Sequence, residues 1–295
     1  MTRLQYLLVL HIIVLIFGFT GILGREIEMD AIKLVWFRVL IASVTLLVFA
    51  PLLKKSLLVK SKHRWQYLGT GVLVAAHWVF FFAAIKESNI SIALAMLAST
   101  SLFVALVEPM LTGSRIDALE LLLGVAVIAG LALIVSFEFH YYLGIVLGLM
   151  AAIFAALFGT LNSMLIRTGE AYVIGFYELL AGLVVLSLIL IVSEEVSVHF
   201  FSIGSRNWLL LLALGTIATA FATVGAVWVT RELTPFTVAL TINLEPVYSI
   251  ILAVILYPEE EKMSPQFYLG AAVILAALFI NAFVKSRRRK TIIPN

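Results

Sequence analysis

The chain has 295 residues, 63% of them hydrophobic and 13% charged, with a formal net charge of +3 and no cysteine. A soluble domain averages about 45–50% apolar and about 25% charged residues, so this composition describes a polytopic membrane protein. The lack of Cys excludes disulfides, Cys-ligated zinc and iron–sulfur clusters, and the basic residues cluster in short loops where membrane topology, not nucleic-acid binding, accounts for them.

Ten apolar stretches follow, at roughly 4–24, 32–53, 65–85, 90–113, 119–137, 143–166, 171–193, 207–229, 235–257 and 265–284. Each is near the ~20 residues a helix needs to cross ~30 Å of hydrocarbon. The expected fold is an all-α membrane protein of ten transmembrane helices. The first run, Tyr6 to Leu23 behind Arg3, is long for a signal-peptide core and lacks a small-x-small cleavage site, so it reads as a span. Connections are short, and the longest, 54–64 and 194–206, are polar surface loops. With the N-terminus in the cytoplasm, 14 of the 20 Lys and Arg fall on the cytoplasmic side and 5 on the other. Basic residues favour the cytoplasmic face, so both termini are expected inside the cell.

Several spans carry polar groups that hydrocarbon does not tolerate. The second holds Arg38, about two turns from its outer end. A charge there must face protein or water. It reads either as a planar fork for a substrate carboxylate or as part of a structural ion pair. The third holds His77 and Trp78, followed by three phenylalanines. His77 is a bundle hydrogen bonder or a solute contact, and Trp78 a cavity wall or plain packing. In the fourth, Ser99-Thr100-Ser101 lines a cavity through Thr100 or makes ordinary interhelical hydrogen bonds. The seventh holds Glu178, which binds an amine or a proton or makes a structural contact. Asn162 and Asn281 read as interhelical donors.

The ninth stretch contains Asn243, Glu245, Pro246 and Tyr248. Read as one helix, it places Thr241, Glu245 and Tyr248 on one face, with a kink where Pro246 removes a backbone donor. Glu245 then lines a solute path or supports the backbone loosened by the proline. The following acidic run, Glu259-Glu260-Glu261, reads as a solvated loop or a cation-collecting mouth. The aromatic clusters Phe137 to Tyr142 and Phe200-Phe201 read as interface anchors.

The chain also repeats itself. Phe37-Arg38 matches Tyr177-Glu178 at an offset of 140, Lys86-Glu87 matches Arg231-Glu232 and Phe103 matches Tyr248 at 145, and Gly124 matches Gly270 at 146. Residues 1–140 and 141–295 thus look like two copies of a five-helix unit. Because five is odd, the second copy enters the membrane from the opposite side. Such inverted repeats recur among secondary transporters, with the solute site near the midplane. Motifs for phosphate loops, zinc hydrolases and serine hydrolases are absent, and no metal-ligand spacing occurs. Neither direct use of ATP, nor catalysis, nor a cofactor is therefore expected.

Phe17-Gly18-Phe19, Arg38 and the run Asn243-Leu244-Glu245-Pro246-Val247-Tyr248, in ten spans of two repeats, resemble the EamA family of the drug/metabolite transporter superfamily. Gly124 and Gly270 fit the family's repeat ends, whereas Gly113-Ser114-Arg115 and Pro258-Glu259-Glu260 depart from its usual Gly-Glu-Arg. The resemblance implies a bacterial inner-membrane carrier, often an exporter of amino acids or other metabolites, with a central cavity between the repeats. The expected substrate-binding residues are Arg38, His77, Trp78, Thr100, Glu178, Asn243, Glu245 and Tyr248. The expected partners are a small solute, the lipid bilayer and a possible second copy, with the fifth and tenth helices at the periphery or at a dimer contact. A passive channel and a membrane enzyme or lipid scramblase are the alternative readings.

Overall fold

A computed structural model describes residues 2–59, 61–113, 118–194, 200–223, 225, 229, 233, 241–242 and 244–292. All regular structure among them is helical. Among the described residues, six helical segments are long and apolar enough to cross a membrane: Leu4–Glu26, Ala31–Leu52, Lys62–Glu87, Ile90–Thr112, Phe139–Leu165 and Ala171–Val192. Three shorter apolar helices, Leu122–Phe137, Glu245–Leu256 and Pro265–Asn281, accompany them.

In chain order the helices are α1 (Arg3–Glu26), α2 (Ala31–Leu52), α3 (Ser61–Glu87), α4 (Ile90–Ala98), α5 (Thr100–Thr112), α6 (Ala118–Phe137), α7 (Tyr142–Leu165), α8 (Ala171–Val192), α9 (Ser205–Leu212), α10 (Glu245–Leu256) and α11 (Pro265–Ile292). Helix α9 runs on into a π-helical stretch, Ala213–Phe221. The polar residues ahead of several helices cap them. Asp30 accepts from Lys33 N at 2.8 Å and Asn89 from Ile92 N at 2.8 Å, each satisfying an otherwise unpaired first-turn donor.

Two apolar segments are interrupted. The fourth breaks at Ser99, where the hydroxyls of Ser99 and Thr100 donate to Met96 O and Leu97 O, each at 2.6 Å. The ninth differs from the expected continuous helix with a mid-span kink. Leu244 sits in a turn, with its N–H on Thr241 O at 3.0 Å, and a new helix begins at Glu245. Pro246 then falls in the first turn, where its missing N–H leaves no bond unmade. The two breaks lie 145 residues apart, at Ser99 and Leu244.

Packing between the halves is reciprocal. Helix α3 lies on α7 and α8, α2 on α8 and the π-helical stretch, α1 and α4 on α10, and α6 on α11. A Cβ added at Gly130 would meet Gly270 O at 2.8 Å and Ile274 Cγ1 at 2.8 Å. One added at Gly270 would meet Gly130 O at 2.7 Å and Ile134 Cγ1 at 2.8 Å. The close pair is Gly130 with Gly270, at an offset of 140, while Gly124 packs on Leu102. Likewise Gly71 lies on the backbone of Glu178, and Gly215 on Ile41 and the carbonyl of Arg38. Small residues at these crossings let backbones approach within van der Waals contact.

The end of the bundle that carries Arg25 is tied shut by polar contacts. Glu261 is fully buried, not solvated as its acidic run suggests. It accepts Ile90 N at 3.0 Å and Ser91 N at 2.9 Å, and pairs with Arg25 Nη1 at 3.1 Å. The carboxylate meets the unpaired donors at the start of α4, where the helix dipole also favours it. Lys86 Nζ donates to Ile27 O at 2.6 Å, Tyr257 to Glu26 at 2.6 Å, and Arg206 pairs with Glu26. Of the expected interface aromatics, Phe137, Phe139, Tyr142 and Phe201 are exposed, but Phe200 is buried and stacks on Phe37 at 5.5 Å.

Candidate functional site

A cavity of about 740 Å³ lies in the bundle, walled by residues from both halves. Phe17 and Thr20 come from α1, Arg38 from α2, and His77, Trp78 and Phe81 from α3. Thr100 and Ser101 come from the broken fourth span, Phe158 and Asn162 from α7, Glu178 from α8, and Glu245 and Pro246 from α10. Its lining is mostly apolar with a few convergent polar groups, the usual make-up of a small-molecule site.

Arg38 is 4% exposed. Its Nε donates to Thr219 Oγ1 at 2.9 Å, and its guanidinium lies 4.1 Å from the ring centre of Trp78 and 5.5 Å from that of Phe82. Both aromatic faces attract a cation electrostatically. The two Nη groups have no acceptor among the described residues. Glu245 is near enough to interact electrostatically with Arg38, yet the two form no ion pair among the described contacts. A buried guanidinium with free donors beside an open volume is a ready anchor for a planar anion such as a carboxylate.

Thr219 owes its place to the π-helical stretch. Its hydroxyl donates to Leu214 O, five residues back, at 2.7 Å, and is left with lone pairs for Arg38. Wider i→i+5 turns of this kind concentrate at functional sites.

Glu178 is 8% exposed, and its Oε1 has no hydrogen-bond partner among the described residues. Asn162 lies close enough to interact with the carboxyl. The Oδ1 atoms of Asn162 and Asn281 are also buried without partners, and both residues face the cavity. Asn162, on α7, meets the Glu178 carboxyl of α8 as the interhelical donor its sequence suggests. His77 donates from Nδ1 to Ala151 O at 2.9 Å, linking α3 to α7, and packs on Phe81 and Phe158 while lining the cavity. Thr100 lines it too, with its hydroxyl on the backbone.

Six of the eight expected residues, Arg38, His77, Trp78, Thr100, Glu178 and Glu245, thus meet around one volume. Tyr248 does not. Its hydroxyl meets His11 Nδ1 at 2.9 Å, against α1. The turn at Leu244 separates Thr241 from the helix that holds Glu245 and Tyr248, and on that helix Tyr248 stands about 60° round from Glu245, towards α1. Asn243 lies outside the described residues. Sequence reading missed Thr219, Phe158 and the place of Asn162 on the cavity wall. Thr219 had one signal, a hydroxyl amid small residues in a span.

Comparison with known proteins bears on these features. The model of the EamA-like transporter family matches residues 4–136 and 142–283. The chain belongs to the EamA-like transporter family. Each matched stretch contains one of the pair Arg38 and Glu178, so the EamA-like repeat has a cation in one copy and a carboxyl in the other. One solved structure, described only as a crystal structure of a protein, aligns with 18% identity and a TM-score of 0.62, over 97% of this chain and 100% of its own. That likeness shows the fold alone. No curated relative matches the chain. As a member of the EamA-like family the chain is a multi-pass membrane transporter of the drug/metabolite transporter superfamily, whose members are transporters and not enzymes.

Proposed function

We propose that this transporter carries a small organic metabolite, such as an amino acid, across the cell inner membrane by alternating access, as a secondary or facilitative carrier working in export. In this reading the chain crosses the membrane ten times. Residues 1–140 and 141–295 form two inverted five-helix units, and both termini are cytoplasmic. Three observations support the inversion: the reciprocal contact of Gly130 with Gly270, the matched breaks at Ser99 and Leu244, and the matched positions of Arg38 and Glu178. Broken helices in corresponding places, with a midplane site between repeats, are recurrent in secondary transporters.

The observation that carries the solute assignment is Arg38. It is buried, held at Nε by Thr219, and its Nη groups, without an acceptor among the described residues, lie at a cavity of about 740 Å³. The ties at the Arg25 end favour a carrier with one end closed over a passive pore. The test is solute counterflow in vesicles with the wild type, Arg38→Ala and Glu245→Gln. Saturable counterflow that both substitutions abolish is the expected result. Normal transport by both folded variants overturns the site, and flux without saturation or counterflow favours the pore.

A further inference from the structure

The cavity holds four titratable side chains among its described lining residues, Arg38, His77, Glu178 and Glu245. With His77 neutral, the ionised forms of the other three sum to one negative charge. A neutral zwitterionic amino acid leaves that charge uncompensated in a low-dielectric space, where an unpaired carboxylate is costly. Among the described residues the uncompensated group is Glu178. Arg38 is close to Glu245, whereas Glu178 has Asn162 beside it, and the carboxyl Oε1 and the amide Oδ1 are both buried without partners.

The register of α2 on α8 fixes how far the Glu178 backbone is offset from that of Arg38 along the helix axes. Trp36 Nε1 donates to Ser187 Oγ at 2.8 Å, a Cβ at Gly182 would lie 3.9 Å from Val39 Cγ1, and Tyr172 donates to Leu46 O. The helices therefore run antiparallel, and Arg38 is level with about residue 183. Glu178 is some five residues further along, or roughly 7–8 Å at 1.5 Å rise per residue. An α-ammonium next to a carboxylate on Arg38 cannot span that distance. A cation at the end of a flexible four-carbon stem can.

We infer that the solute is a basic amino acid, lysine or arginine in kind. Its α-carboxylate sits on the Nη donors of Arg38, its α-ammonium by Glu245, and its side-chain cation on Glu178 and Asn162. The apolar stem lies along Trp78 and Phe158, as long cationic side chains lie along apolar surface with the charge at the far end. A solute carrying one net positive charge then brings the cavity to neutrality. The inference rests on the transport reading and names its substrate class.

The test is a competition series in proteoliposomes that follows counterflow of labelled L-lysine against L-lysine, L-arginine, L-norleucine and L-phenylalanine. Norleucine has the lysine stem without the terminal amine. Lysine and arginine are expected to compete at concentrations about tenfold or more below norleucine, as loss of a hydrogen bond to a charged group implies. Glu178→Gln is expected to bring lysine and norleucine within about twofold of each other. Norleucine matching lysine on the wild type overturns the inference, whether or not the variant folds. Transport of phenylalanine or norleucine with no competition by lysine overturns the inference and leaves the carrier reading standing. Absence of counterflow with every amino acid overturns the inference, and only absence of counterflow with other small organic anions as well removes the carrier reading.

Discussion

Replacing Gly71 by alanine tests the contact that sets Glu178 in place. A Cβ there would lie 2.3 Å from Glu178 O, 2.5 Å from its Cα and 2.8 Å from its carbonyl carbon. These are backbone atoms, which cannot rotate away. Restoring ordinary contact moves α3 from α8 by about 1 Å, and carbon contacts are optimal only at ~3.5–4.0 Å. Overpacking of this kind costs typically 1–3 kcal/mol, and the rigid partner puts Gly71→Ala near the upper end. Alanine returns up to ~1 kcal/mol through helix propensity, which leaves a net loss of about 2 kcal/mol. Gly69, two residues away on the same helix, has nothing within 4 Å of an added Cβ. There alanine keeps only the propensity gain, so Gly69→Ala is expected to be neutral or stabilising. Thermal unfolding of both variants in detergent reads the difference, with solute counterflow as a second readout, since displacing the Glu178 backbone also displaces a cavity wall. A Gly71→Ala protein that melts at or above Gly69→Ala refutes the packing of α3 on α8.

Three further outcomes follow from the same geometry. Gly130→Ala and Gly270→Ala are expected to lower the melting temperature by similar amounts and to be non-additive when combined, because each acts on the other's carbonyl and neighbouring sites couple. Glu261→Ala leaves Ile90 N and Ser91 N unpaired, so stability should fall by about 1–3 kcal/mol or more. Glu260→Ala, at an exposed side chain 3.8 Å from Arg25, should change it by less than about 1 kcal/mol. Thr219→Val removes the acceptor of Arg38 Nε, and should raise the half-saturating solute concentration severalfold with little change in maximal rate, while Thr219→Ser retains wild-type behaviour.

Much of this arrangement was legible in the sequence, for physical reasons. A charge in hydrocarbon is so unfavourable that Arg38 and Glu178 announce a polar interior by themselves, and both line the cavity. The apolar spans are equally plain, because nothing else needs some twenty apolar residues in a row. What the sequence hid depends on tertiary context. Glu261 reads as a solvated acid until the start of α4 is placed against it. The π-helical turn that presents Thr219 has no local signature. Tyr248 was misplaced because three residues at 3.6 per turn set it about 60° round α10 from Glu245, and that turn points it at His11 on α1 instead of the cavity. The repeat offsets of 140 to 146 residues did not show that Gly130 is the glycine that packs on Gly270, because that contact depends on how α6 and α11 cross.

The central claim is that a water-accessible, solute-binding hollow lies between the two halves. The chain has no native cysteine, so single Ala155→Cys and Leu188→Cys proteins can be labelled in vesicles with a membrane-impermeant thiol reagent, which needs a thiolate in contact with water. Ala155 lines the cavity, and Leu188, four residues before the end of α8, is 58% exposed on the outside of the bundle. The account predicts that the cysteine at 155 is labelled and is protected by solute, while the cysteine at 188 stays unlabelled in lipid. Labelling at 188 with none at 155, or labelling at 155 that no transported solute slows, contradicts it.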